Sequence, residues 1–120
     1  MHALPEREAL LWLLNDRLDR VGTAEFMISF SFDGGGVLDS SVPVTVIRPD
    51  GSQSTYHPQL RGGTWSFQLI LGDTVTEVER PNPWMLDIVF SGGARLRLIS
   101  RPGPYECGRM LAPDRSETFY

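Results

Sequence analysis

The feature that most constrains this chain is an alternating apolar meander that occurs late and has an echo early. Trp84–Phe90 puts Trp84, Leu86, Ile88 and Phe90 on one face and Met85, Asp87 and Val89 on the other. That is the period of a half-buried strand. Ser91-Gly92-Gly93 supplies a hairpin turn, with glycines free to take positive φ. Arg95–Ile99 returns with Leu96 and Leu98 inward and its arginines outward. Thr74–Glu79 precedes this pair as a further strand. Pro81-Asn82-Pro83 ends it, because proline cannot donate to a ladder.

The echo begins at Leu14. LNDRLDRV (14–21) aligns with LGDTVTEV (71–78), and FMISFSFDGGGVL (26–38) aligns with WMLDIVFSGGARL (84–96). Asp16 meets Asp73, Met27 meets Met85, Phe32 meets Phe90, and Gly34-Gly35 meets Gly92-Gly93. The apolar face, the turn and the flanking aspartate coincide, which predicts one β unit used twice. In the first copy Phe26, Ile28, Phe30 and Phe32 are expected to face the core.

The rest of the chain fits around these units. Pro5–Asn15 reads as a helix, with proline suited to the first position, Glu6 and Glu8 at the positive end, and Asn15 as the stop. Its leucines run almost all round, so it is expected to pack across a sheet. Ser41–Ile47 continues as strand, with Pro43 arguing for an edge or a bulge. Arg48-Pro49-Asp50-Gly51 is a turn and Gln53–Tyr56 pairs back. Residues 59–64 read as a connection, Trp65–Leu71 as a strand with a short helix as the competing reading, 101–104 as a rigid turn, and 105–110 as a last strand. The expected fold is mainly β (α+β): an N-terminal helix (1–15) packed on an antiparallel sheet or partly open barrel. Two similar β-meander units (16–57 and 58–111) and a polar, mobile tail (112–120) complete a single domain.

Eleven basic residues, all arginine, face fifteen acidic ones for a net charge of −4. An acidic chain cannot replace phosphate counterions over a continuous face, so nucleic acid is not the expected partner. The start carries no basic region followed by an apolar run, and no stretch is apolar enough to span a bilayer. A cytoplasmic protein without membrane contact is expected. Arg95, Arg97, Arg101 and Arg109 could form a local positive patch. The single Cys107 allows no internal disulfide and reads as a buried small side chain.

No metal set surrounds His2 or His57, and no nucleophile–base signature is present, so no catalytic residue, cofactor or metal is expected. Asp16 and Asp73 could be imagined as a carboxylate pair, but their matched places at strand starts point to a structural role. The candidate binding residues are Tyr105 and Glu106 on a stiff proline-rich support, Trp65, and the acids Glu77, Glu79 and Asp87. Tyrosine buries area at little entropic cost, and the acids can steer a basic protein partner. A small-ligand site in a pocket lined by Trp84 and Trp65 is the alternative, and exposed sheet edges offer a route to a homodimer.

His57-Pro58, Leu69-x-Leu71-Gly72-x-Thr74-Val75, Leu86-x-Ile88-x-Phe90-x-Gly92-Gly93-x-x-Leu96 and Pro104-Tyr105-Glu106-Cys107 follow one another in order. In this the chain resembles a group of small bacterial proteins of unknown function, with two similar β units and a closing Tyr-Glu-Ala-Trp-like motif. Cys107 and Gly108 stand where that motif has Ala and Trp. The resemblance covers residues 57–107 and implies a cytoplasmic, immunity-like protein that binds a toxin domain.

Overall fold

A computed structural model describes residues 3–60, 62–63, 67–101 and 106–120. Its described strands form two antiparallel sheets. In chain order they are β1 (Leu18–Ala24), β2 (Met27–Phe32), β3 (Val37–Ser40), β4 (Val44–Ile47), β5 (Gln53–His57) and β6 (Gly62–Gly63). Then come β7 (Val75–Asn82), β8 (Met85–Phe90), β9 (Arg95–Ile99), β10 (Gly108–Leu111) and β11 (Glu117–Phe119). The first sheet runs β1-β2-β3-β10-β11 and the second β6-β5-β4-β9-β8-β7. The architecture is therefore mainly β, in two sheets rather than one sheet or an open barrel.

Each sheet takes strands from both ends of the chain. The crossing falls at Ser41–Pro43, where β3 has ended and β4 has not begun. Proline there neither donates to a ladder nor needs to. β4 then pairs with β9, and β10 pairs with β3.

The same local contacts recur in the two halves. Asp16 accepts from the backbone N–H groups of Arg17 and Gly34, and Asp73 from those of Thr74 and Gly92. Asn15 (φ 65°) and Gly72 (φ 83°) take the left-handed region just before these aspartates. Leu18 N donates to the Asp73 carbonyl and Val75 N to the Asp16 carbonyl, each 3.0 Å or shorter, around an Arg17–Thr74 bridge. Register shifts at Leu18/Arg20 and at Val75/Glu77 also correspond. The second shift explains why Val75 and Val78, three apart, are both buried. A further pair of turns, Arg48–Ser52 and Ala112–Ser116, shares the Pro-Asp-x-Ser pattern. Asp50 and Asp114 accept from the serine N–H and hydroxyl in each.

The expected N-terminal helix is instead a 3-10 turn, Arg7–Leu13, without a side-chain cap at Glu6. A 3-10 turn eclipses residues three apart. Leu10 and Leu13 therefore enter the core together, while Leu11 stays 41% exposed. Phe67–Leu69 is likewise a 3-10 turn rather than a strand, and it buries Phe67 and Ile70 at the same spacing. The residues before it, including Trp65, lie outside the described set, as do those of the expected 101–104 turn beyond Arg101.

Three further expectations are corrected. Phe26 and Trp84 do not face the core. They sit in the turns before β2 and β8, 46% and 36% exposed, and Phe26 has φ 63°. β7 runs on through Pro81 to Asn82, so the turn lies one residue pair later than expected. The tail is not a polar extension: β11 pairs with β10, and Tyr120 is fully buried.

Between the sheets lies one core. β2, β3, β8, β9 and β4 contribute Ile28, Phe30, Leu38, Leu86, Ile88, Leu96, Leu98 and Val46. The 3-10 turns close its ends, and Trp12 meets Phe32 edge-on at 6.2 Å between ring centroids. Cys107 is buried as expected, and its sulfur accepts from Arg101 N.

Candidate functional site

The outward faces of the two sheets carry matched cross-strand rows with different chemistry. In the second sheet Glu79, Asp87, Arg97, Thr45 and Thr55 are successive neighbours across β7, β8, β9, β4 and β5. Asp87, 1% exposed, accepts two bonds of 2.8 Å from Arg97, in the fork geometry that suits guanidinium and carboxylate. Arg95 spans Glu79 at 2.9 Å and Asp87 at 3.4 Å. Thr45 and Thr55 bond each other at 3.0 Å. Arg7 reaches over the β7 edge to Glu77 at 2.6 Å and to the Val78 carbonyl at 2.9 Å. The Arg7 bond, with help from Val78 N, holds the Glu77 carboxyl below its ordinary range.

Three of the expected binding acids, Glu77, Glu79 and Asp87, are thus committed to internal ion pairs. Arg95 and Arg97 neutralise Asp87 and Glu79 one for one. Neither a free acidic face nor a positive patch of Arg95 and Arg97 results.

In the first sheet the row is Ser29, Asp39, Arg109 and Phe119 across β2, β3, β10 and β11. Asp39 is 4% exposed, takes the Ser29 hydroxyl, and meets Arg109 at 3.0 Å. Arg109 also reaches Glu117 at 3.2 Å. The row ends in an exposed aromatic, Phe119, where the second sheet has a paired threonine.

A groove of about 380 Å³, open to solvent, runs over this face. Met27, Asp39, Ser41, Glu106, Gly108, Arg109 and Phe119 line it. Gly108 forms its floor because Tyr120 passes beneath: the Tyr120 hydroxyl donates to the Asp39 carbonyl at 2.9 Å. Burial pushes the Tyr120 phenol well above its ordinary pKa, so it stays a neutral donor. Among the described residues, Asp39 and Glu106 line the groove with Arg109, which also pairs with Glu117 beside it, so three carboxylates stand against one guanidinium. Of the sequence candidates, Glu106 reaches this groove. Tyr105 and Trp65 lie outside the described residues, and Trp84 does not line the groove.

Met27 and Asp39 were missed from the sequence, while Arg109 was read there as part of a positive patch and Phe119 as part of the tail. The outward register of Met27 was readable; the pairing of β10 with β3 was not.

Asp16 and Asp73 are strand-start anchors. For Asp73, burial works against ionisation, but bonds from the Ser91 hydroxyl and from Gly92 and Thr74 N–H outweigh it and lower the pKa. No group of three or more metal-binding side chains occurs among the described residues, and none of their helices is long and apolar enough to cross a membrane. Compared with family models, curated proteins and solved structures, the chain matches none of them.

Proposed function

We propose that this chain is a non-enzymatic protein-binding module of the bacterial cytoplasm, an immunity-type protein that neutralises a toxin domain by covering its site. The observation that supports this most is the groove on the first sheet. It pairs exposed Met27 and Phe119 with an excess of carboxylate, next to a buried, hydrogen-bonded floor. Exposed apolar anchors ringed by charge are what a specific protein interface uses. We also propose that the fold is one unit used twice, with strands exchanged between copies. The recurrent Asp16/Asp73 anchors and Pro-Asp-x-Ser turns support that reading. On this view the second sheet, with its charges internally paired, is the supporting copy, and the first carries the binding face.

The test uses the immobilised chain and its Met27→Glu variant, each exposed to native lysate at low and moderate salt. The expected result is a stoichiometric, salt-sensitive partner on the wild type that the variant loses, and whose toxic activity falls when wild-type chain is added. A partner held equally by both, or unaffected in activity, would count against the reading.

A further inference from the structure

The groove ends at β11, and the backbone of β11 is half unused. Gly108 and Tyr120 exchange both bonds, N to O at 3.2 and 3.1 Å. Bonded and non-bonded pairs alternate along an antiparallel ladder. Arg109–Phe119 and Leu111–Glu117 are therefore the non-bonded pairs. It follows that the N–H and C=O groups of Glu117 and Phe119 point away from β10, toward the sheet's outer edge. β11 is the last strand of its sheet, and no described backbone group bonds to that edge.

The corresponding edge of the second sheet is covered at one end, by Gly62–Gly63 against Tyr56 and His57. β5 follows β4 through a Pro-Asp-x-Ser turn as β11 follows β10, and β6 pairs along the side of β5 that faces away from β4. The chain itself thus shows an extended segment lying on this kind of edge. On β11 no described residue takes that place, and the neighbouring side chains are Phe119 and Glu117.

Resting on the protein-binding reading above, we infer that an extended, basic segment of a partner protein adds to the β11 edge as an extra strand. Main-chain bonds to Glu117 and Phe119 give such a strand its hold, and alternate side chains give it selectivity. One apolar side chain fits against Phe119 and Met27. Arginine or lysine two positions to either side, on that same face, meets Glu117 or Glu106, where the carboxylate excess lies. Neutral or acidic strands find the same backbone groups but the wrong field.

Nitrogen-15-labelled full-length chain is titrated with a blocked octapeptide of two Arg-Thr-Val-Thr repeats, which puts arginine and valine on the same face, and with its glutamate-for-arginine counterpart. The expected result is saturable amide shifts at Glu117, Phe119 and Met27 with the basic peptide, weakened by salt. Glu106→Gln combined with Glu117→Gln should weaken binding about five-fold, as two partly exposed charge pairs would. Phe119→Pro removes an edge-facing N–H without touching the bonds to β10 and should abolish the shifts; retained pairing of Met110 with Thr118 shows that β11 is intact. No saturable shift, equal shifts with the acidic peptide, or edge shifts that track protein concentration alone (a second copy on the edge) would each overturn the inference. If the peptides fail while Met27→Glu still loses its captured partner, only strand addition falls. If that partner loss fails too, the binding reading falls with it.

Discussion

Gly108 ties the floor of the groove to the core, and replacing it tests both. A Cβ at Gly108 would stand 2.0 Å from the Asp39 carbonyl oxygen and 2.5 Å from the Tyr120 hydroxyl. Neither neighbour yields cheaply. The first is backbone within the β3–β10 ladder, and the second belongs to a fully buried ring that bonds that same carbonyl. Overpacking of this sort costs about 1–3 kcal/mol. Displacing the Tyr120 hydroxyl adds about 1 kcal/mol. Gly108→Ala should therefore lose about 2–4 kcal/mol, a large share of the stability of a domain this size.

Gly22 is the control. It lies within β1, and a Cβ there meets nothing within 4 Å. Gly22→Ala should gain about 0.4–1 kcal/mol by restricting the unfolded chain. Urea unfolding followed by circular dichroism reads both, with unchanged slopes and displaced midpoints. Tyr120→Leu removes the crowding ring atoms, so Gly108→Ala should cost less in that background than alone. If Gly108→Ala unfolds within about 0.5 kcal/mol of the wild type, Tyr120 does not pass under β10 and the floor of the groove is misassigned.

Two other perturbations follow from the paired carboxylates. Asp73 has a lowered pKa in the folded chain, so the unfolded state takes up its proton first as pH falls. Its contribution is complete above the unfolded value of about 4 and is lost as pH drops through the lower folded value. Asp73→Ala should cost about 1–2 kcal/mol at neutral pH and flatten the acid limb of a stability–pH profile; an unchanged limb would remove Asp73 from the account. Asp87→Ala leaves Arg97 without its fork, but Arg97 and Arg95 side chains are 30% and 38% exposed and can turn to water. The loss should stay near 2–3 kcal/mol, below that for a fully buried pair, and should change little with salt. Thermal melts at two ionic strengths read it.

Much of the sheet structure was legible because it is local. The alternation in β2 and β8, the glycine hairpins, and the aspartates set before β1 and β7 all act over a few residues. The exchange of strands was not legible, because β3–β10 and β4–β9 pairings depend on contacts between distant parts of the chain. Pro43 was read as an edge or bulge signal, which is the right physics for the wrong place: it marks the passage between sheets. The leucine run at 10–14 misled because spacing three and spacing four both fit it. The choice fell to the core, which admits Leu10 and Leu13 together. Phe119 and Tyr120 looked like the end of a tail. One in fact ends a strand face while the other fills the core, as adjacent residues near a strand end do. The ion pairing of the β7 and β8 acids was not legible for a related reason: their arginine partners come from the strand alongside and from the N-terminal turn.

The strand exchange carries one more consequence. The first sheet cannot form from 16–57 alone, since β10 and β11 arrive from the other end, and the second sheet cannot form from 58–111 without β4 and β5. Neither half then has a complete core of its own, and unfolding should be a single transition despite the two similar meanders. Native-state hydrogen exchange tests this strand by strand. The most protected amides of β2 and β8 should share one opening free energy, equal to the global value from denaturant. Long-range pairings of this kind also slow the search, so folding on the millisecond-to-second scale is expected. If β1–β3 opened at a free energy about 2 kcal/mol below β7–β9, the halves would be separate cooperative units. Strand exchange would then be a feature of connectivity with no hold on stability.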